Sequence, residues 1–250
     1  MANGTVNGRA RLAMALTVFA TLGAPATASA QIRQVSTTSD SKQTVNFTIG
    51  YFALKGLDSR VNDDVLLNEL QSAQPLLFAV KDFNSALVGG EYLVSVSRNF
   101  EVGIGVGFSQ RTVPSVYARL THADNSEIQQ ELKLRQIPVT FTGRVLLLPR
   151  GSAVEPYIGA GVVAIRWRYS ETGEFVAGDR SIFPARYVAQ GTAAGPTVLA
   201  GVRAPLGKMT IGGEVRWQKA EATKLADAGF IGDKFDLGGW TANFTFGVRF

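Results

Sequence analysis

The sequence predicts an all-β fold, an eight-stranded antiparallel up-and-down barrel that crosses a membrane. Three observations carry this. First, the chain closes on a run in which every second residue is apolar: Trp240, Ala242, Phe244, Phe246, Val248 and Phe250, with Thr241, Asn243, Thr245, Gly247 and Arg249 between them. A strict period of two is a strand with one greasy and one polar face, and about 11 residues suffice for a tilted strand to cross a bilayer. Second, the same alternation recurs in seven segments upstream. Third, the connections between these segments alternate short and long, the layout of an even-stranded barrel with tight turns on one side and long loops on the other.

The N-terminus fits an exported chain. Arg9 and Arg11 precede an apolar stretch from residue 12 to 23, and Ala28-Ser29-Ala30 supplies a small-x-small cleavage site. This predicts a secretory signal peptide over 1–30, an N-terminal periplasmic segment over 31–43 and a barrel over 44–250. There is no cysteine, which excludes lipoprotein anchoring and any disulfide. No later apolar run approaches the roughly 18 residues of a spanning helix.

Taken in order, the first strand carries Val45, Phe47, Ile49, Tyr51 and Ala53 on its apolar face. The second carries Ala86, Val88, Gly90, Tyr92, Val94 and Val96, and the third Val102, Ile104, Val106 and Phe108. The fourth has Val139, Phe141, Gly143, Val145 and Leu147; the fifth runs from Tyr157 to Tyr169 with Val163, Ile165 and Trp167 on one side. Val198, Ala200, Val202 and Ala204 mark the sixth, and Ile211, Val215 and Trp217 the seventh. Short turns are expected near 97–100, 149–153 and 205–208, and long loops over 55–84, 112–130, 170–195 and 220–236. Tyr51, Phe108, Trp167, Tyr169, Trp217 and Trp240 are expected near the outer strand ends, and Phe100, Tyr157 and Phe250 near the inner ends, as two interfacial girdles.

With these residues in hand, the chain resembles the small eight-stranded bacterial outer-membrane barrels, the family of opacity-type surface antigens and OmpA-, OmpX- and OmpW-like proteins. Glu155-Pro156-Tyr157-Ile158-Gly159-Ala160-Gly161 resembles the opening of a central strand common there, and the terminal aromatic strand resembles that family's assembly signal. The resemblance implies residence in the cell outer membrane, contact with outer-membrane lipids and the barrel-assembly machinery, and Phe250 as the assembly signal. It specifies architecture more than function.

Basic residues number 25 against 20 acidic ones, and the sequence pI is near 9.6. The long loops are the acidic part of the chain, so nucleic acid is not an expected partner. Parity places a charge network in the lumen: Glu91, Glu101 and Glu214 with Arg135, Arg144, Arg166, Arg168, Arg203, Arg216 and Arg249. On this register no cation faces lipid, where arginine at the midplane costs about 2–4 kcal/mol, and no basic patch for lipopolysaccharide phosphates is expected. Three glutamates leave four arginines over. They are read as part of a packed plug, with a narrow anion-biased channel as the alternative. Arg98, Arg150 and Lys208 are expected to be solvated turn residues.

No cofactor or metal site is predicted. Gly103-x-Gly105-x-Gly107 lies inside a strand and lacks the helix that a phosphate loop needs. His122, the only histidine, sits in a polar segment without the nucleophile-and-base pairing that a lipid hydrolase requires. Asp63-Asp64 before Val65, Leu66, Leu67 and Leu70 reads as the capped start of a short amphipathic helix. That first long loop is unusually apolar, continuing through Leu76, Leu77, Phe78 and Val80, and is expected to extend the second strand, pack over the barrel mouth, enter the outer leaflet or meet a partner. The expected function is a non-enzymatic structural or surface-interaction role with an unknown extracellular partner. A narrow channel for small hydrophobic or anionic solutes is the alternative, and an outer-membrane lipid hydrolase a remote one.

Overall fold

The computed structural model describes residues 42–250; the signal peptide expected over 1–30 and almost all of the expected 31–43 segment lie outside them. Eight long strands form one closed antiparallel ring: β1 (Gln43–Leu54), β2 (Ser85–Ser95), β3 (Phe100–Thr121), β4 (Glu127–Leu146), β5 (Glu155–Val176), β6 (Ile182–Leu206), β7 (Met209–Gln218) and β10 (Gly239–Arg249). The two-residue strands β8 (Glu221–Ala222) and β9 (Phe235–Asp236) pair with each other inside the last long connection. Closure runs from Thr44↔Arg249 to Leu54↔Gly239. It is completed by Phe250 and Gln43, whose backbone N–H groups each donate to the other's carbonyl at 3.1 and 3.2 Å.

The lower half of the ring carries apolar residues outward. Phe47, Ile49, Val88, Ile104, Val106, Phe141, Val145, Ile158, Val162, Val198, Phe244 and Phe250 are all exposed. Polar residues on the same strands point in, among them Asn46, Thr140, Thr142 and Thr241. A surface of this kind is stable only against hydrocarbon, and closing the ring removes the unpaired strand edges that hydrocarbon cannot satisfy. Gly201 shows how tight the interior is: a Cβ there would lie 2.5 Å from the Tyr157 ring.

Beyond the belt the pattern inverts. β3 and β5 are 22 residues long and β6 is 25, about twice what a bilayer requires. In these extensions Val113, Leu132, Leu134, Ile165, Trp167, Tyr169, Ala189 and Ala193 are buried inside, and the outward positions are Gln110, Lys133, Arg166, Gln190 and Thr192. Water has replaced lipid outside, so the hydrophobic effect turns the apolar face inward.

This inversion corrects several sequence expectations. Most of 112–130 and 170–195 is not loop but hairpin, with turns only at 122–126 and 177–181. Val163, Ile165, Trp167, Tyr169 and Tyr157 face the interior, so they belong to no lipid-facing girdle, whereas Ile158, Val162 and Ala164 face out. Consequently Arg166 and Arg168 point outward, as does Arg135 on the same parity as Val139.

The first and last long connections fold into the mouth of this upper barrel. Helix α1 (Val65–Gln71) is capped by Asp64, which accepts from the N–H groups of Leu66 (3.0 Å) and Leu67 (3.3 Å). Leu76 bridges to Tyr117, and a 3-10 turn spans Val80–Phe83, so the segment does not lengthen β2. Val65, Leu66, Leu76, Val80 and Phe83 join Leu225, Phe230, Phe235 and Leu237 in one buried core with Trp167 and Tyr169. An apolar loop over water is costly, and this one is satisfied by filling the mouth.

Candidate functional site: the ionic lumen and its cap

Two linked ionic clusters fill the lower interior. In one, Arg144 is 1% exposed. Its Nη2 donates to Glu91 at 2.7 and 2.6 Å and to Glu214 Oε2 at 2.8 Å. Arg216 grips the other Glu214 oxygen through Nε (3.1 Å) and Nη2 (2.7 Å), and also reaches Thr140 Oγ1 at 3.2 Å. In the second cluster, Arg203 meets Glu101 through both terminal nitrogens, at 2.9 and 2.7 Å, and Glu155 through Nε at 2.7 Å. Arg249 donates to Glu155 Oε2 at 2.5 Å, and Arg150 to Glu101 Oε1 at 2.5 Å and to Ser95 Oγ.

Tyr157 stands between the clusters. Its hydroxyl donates to Glu214 at 3.1 Å, and its ring lies 4.9 Å from the Arg144 guanidinium and 5.8 Å from that of Arg203. The clusters draw on every barrel strand except β1, which adds Thr44 Oγ1 as an acceptor for Arg150 at 3.2 Å. Charge-assisted and bidentate pairs of this kind are the strong hydrogen bonds, and their carboxylates keep the arginines from becoming uncompensated buried charges.

Seven of the ten anticipated charges meet here: Glu91, Glu101, Arg144, Arg203, Glu214, Arg216 and Arg249. Arg135, Arg166 and Arg168 do not, because their parity in the extramembrane extensions is outward. Two members were missed. Glu155, fully buried, enters the sequence analysis only within a strand-opening motif, although it shares the inward parity of Tyr157. Arg150, expected to be a solvated turn residue, bends its side chain back into the lumen at 12% exposure. The two clusters therefore hold five arginines on four glutamates among the described residues, not seven on three.

Above the clusters lies a cavity of about 40 Å³ between Glu91, Thr140, Arg216, Gln218 and Asn243, room for about three waters at roughly 10–15 Å³ each. The apolar cap follows. Its loops are tied by Arg60 and Asp64, both without side-chain exposure and 2.7 Å apart, by Asp236 N–H to Asp64 at 2.7 Å, and by Lys55 to Asp236 at 2.9 Å. Within the extramembrane core, two acids face each other across the seam between cap and barrel. Glu69 of α1 is pushed up to about 7 by burial. Glu171 of β5 is pushed up to about 8 by burial and by the neighbouring Glu69 charge, and it accepts from the Tyr169 hydroxyl at 2.8 Å.

One side of the upper barrel is open. β7 pairs with β6 only from Thr197 to Leu206, so residues 182–196 of β6 extend beyond it. A crevice of about 470 Å³ lies there, lined by Trp167, Ala189, Gly191, Glu221, Lys224 and Asp227 among others. His122 is remote from all of these, in a hairpin turn with Nε2 2.9 Å from Glu174 Oε2. No trio of His, Asp or Glu side chains able to hold a metal gathers among the described residues.

No protein-family model and no curated protein matches the sequence. Among solved structures the chain is similar to the outer membrane protein OprG from Pseudomonas aeruginosa, with 14% identity, a TM-score of 0.47 and coverage of 84% of this chain and 96% of that one. It is also similar to the N-terminal β-barrel domain of Pseudomonas aeruginosa OprF (10% identity, TM-score 0.42, covering 84% and 98%). A third is Neisserial surface protein A (10%, 0.43, covering 83% and 96%).

Proposed function

We propose that this chain is an outer-membrane barrel with a sealed lumen, serving as a structural and surface-interaction protein without catalytic activity. The observation that carries this reading is the double closure of the interior. The ionic clusters stitch the strands together across the lower lumen, and an apolar core fills the mouth above them. A conduit needs a continuous wet path, and paired guanidiniums and carboxylates below with packed rings above argue against one. Residence in the outer membrane is supported by the apolar belt and the closed ring, and export by the signal peptide read over 1–30. Phe250, bonded to Gln43 at the closing seam, serves as the assembly signal. The hairpins and the capped mouth form the surface offered to partners.

Because the chain has no cysteine, accessibility can be read cleanly. Thr142, fully buried beside the ionic clusters, is replaced by cysteine and exposed to a small charged thiol reagent in folded vesicle-inserted protein. No labelling until unfolding is expected; rapid labelling of the folded barrel refutes closure.

The crevice at the open β6–β7 seam favours a second reading, lateral entry of a small amphipathic molecule at the outer interface. Its volume is in the range of ligand pockets, roughly 300–1,000 Å³. Gly191→Trp, which fills the crevice beside Trp167, should then abolish uptake of such a solute by proteoliposomes; under the first reading there is no uptake to abolish.

A further inference from the structure

The outward face changes chemistry abruptly where it leaves the apolar belt. On β4 the outward positions run Val145, Phe141, Val139, Ile137 and then Arg135 and Lys133; on β5 they run Ile158, Ala160, Val162, Ala164 and then Arg166 and Arg168. Arg135 and Arg168 are cross-strand partners, and Arg166 stands opposite Ile137. Side chains directly opposed on one face have Cβ atoms about 5 Å apart, so two cationic side chains leave the sheet from neighbouring positions. Like charges so placed repel. Among the described residues, none of the four cations forms an ion pair with a carboxylate.

Their neighbours are polar and uncharged. Gln110 and Thr112 of β3 pair with Arg135 and Lys133, and Thr192 and Gln190 of β6 with Arg166 and Arg168. Glu131, the next outward residue of β4, lies farther from the belt, opposite Thr172. The result is a patch of four cations, bordered below by Ile137 and Ala164, at the upper edge of the apolar belt and across the ring from the β1–β10 seam. The parity expected from sequence puts these arginines inside and leaves no such patch; the outward register creates it.

We propose that Lys133, Arg135, Arg166 and Arg168 dock the phosphate groups of a phosphorylated lipid in the leaflet beside the long hairpins. The inference rests on the membrane-barrel reading. The planar guanidinium fork matches phosphate oxygens bidentately, and a phosphate set between Arg135 and Arg168 converts their repulsion into attraction. Gln110, Gln190 and Thr192 then stand ready for sugar or ester oxygens. The occupant is a lipid, not a free anion, because the patch is continuous with the surface that acyl chains cover.

The test uses the refolded full barrel in detergent and measures binding of bis-phosphorylated lipid A by native mass spectrometry. The quadruple variant K133Q/R135Q/R166Q/R168Q is compared, with a heat-modifiability gel to confirm that it is folded. Each removed charge should weaken binding about fivefold at low salt, and inorganic pyrophosphate should not compete at equal phosphate concentration. Wild-type affinity in the folded quadruple variant, equal binding of fully dephosphorylated lipid A, or full competition by pyrophosphate each overturns the proposal. Failure of the wild-type barrel to insert into vesicles sinks the membrane reading; insertion without discrimination among these lipids sinks this proposal alone.

Discussion

Replacing Glu101 by glutamine changes no volume and removes one charge from the centre of the lower cluster. Glu101 is fully buried and accepts from both terminal nitrogens of Arg203, from Arg150 at 2.5 Å and from Ser95 Oγ at 3.1 Å. Without it Arg203 retains Glu155, and Arg150 loses its only carboxylate among the described residues. Five guanidiniums then face three carboxylates. Breaking a buried pair by deleting one partner costs about 3–5 kcal/mol, because the other charge is left uncompensated. Arg150→Ala, which removes a partly exposed member, should cost less, about 1.5–3 kcal/mol for one hydrogen bond to a charged group. Equilibrium urea unfolding in lipid vesicles, followed by tryptophan fluorescence, measures both. Adding Arg150→Met to Glu101→Gln should restore part of the loss, since the orphaned cation goes with its partner. A Glu101→Gln barrel within about 0.5 kcal/mol of wild type, or additive losses in the double variant, would show that water already screens these groups and that the plug is not dry.

The remaining predictions address the register, the cap and closure. Ile165→Ala should cost about 2–5 kcal/mol as a core truncation, whereas Ile158→Ala, against lipid, should be much milder; the opposite order in unfolding midpoints would restore the inverted β5 register. Val162→Arg should destabilise by about 2–4 kcal/mol at membrane depth, and Gln190→Arg, outward but above the belt, should be tolerated in heat-modifiability gels. The Glu69–Glu171 pair gives a pH dependence. Both folded values, about 7 and about 8, lie above the ordinary 4.5, so the folded state holds protons that the unfolded chain has released. The associated stability is complete below about pH 4.5 and is lost as pH rises through 7 and 8. Besides each other these acids face Tyr169 and Tyr117. Hydrogen exchange in α1 should therefore quicken between pH 5 and 9 by more than base catalysis alone, and Glu171→Gln should flatten that change; an unaltered profile contradicts it. Deleting Phe250 should leave secretion intact and cause periplasmic accumulation, read by fractionation, and normal outer-membrane yield would remove it as the assembly signal.

The lower barrel was legible because one rule governed it. With lipid outside, apolar residues at every second position define the outward face, and β1, β2, β3 and β10 followed that phase from end to end of the belt. Above the belt the outer solvent is water and the apolar phase switches sides without a bulge. On β4 the switch is visible in hindsight: Val139 and Phe141 are odd-numbered, Leu134 and Leu132 even. On β5 it is masked, because Val162-Val163-Ala164-Ile165 is apolar at both parities and the bulkier Ile165, Trp167 and Tyr169 seem to extend the wrong face. That one masked switch displaced Arg166 and Arg168. The Asp64 cap of α1 could be read locally, since a cap needs only its own turn. The closeness of Glu69 and Glu171 could not, because it depends on how a loop folds back onto a strand about 100 residues away.

The central claim is that the interior is closed twice, by ions below and by apolar packing above. Single-channel recording of the wild-type protein in a planar bilayer tests it most directly, alongside a variant lacking residues 66–80. Background current is predicted for the wild type, and for the deletion too, because the ionic clusters remain in place below the emptied mouth. Steady conductance events in the wild type, made larger by removing the cap, would contradict the account and make this barrel a channel.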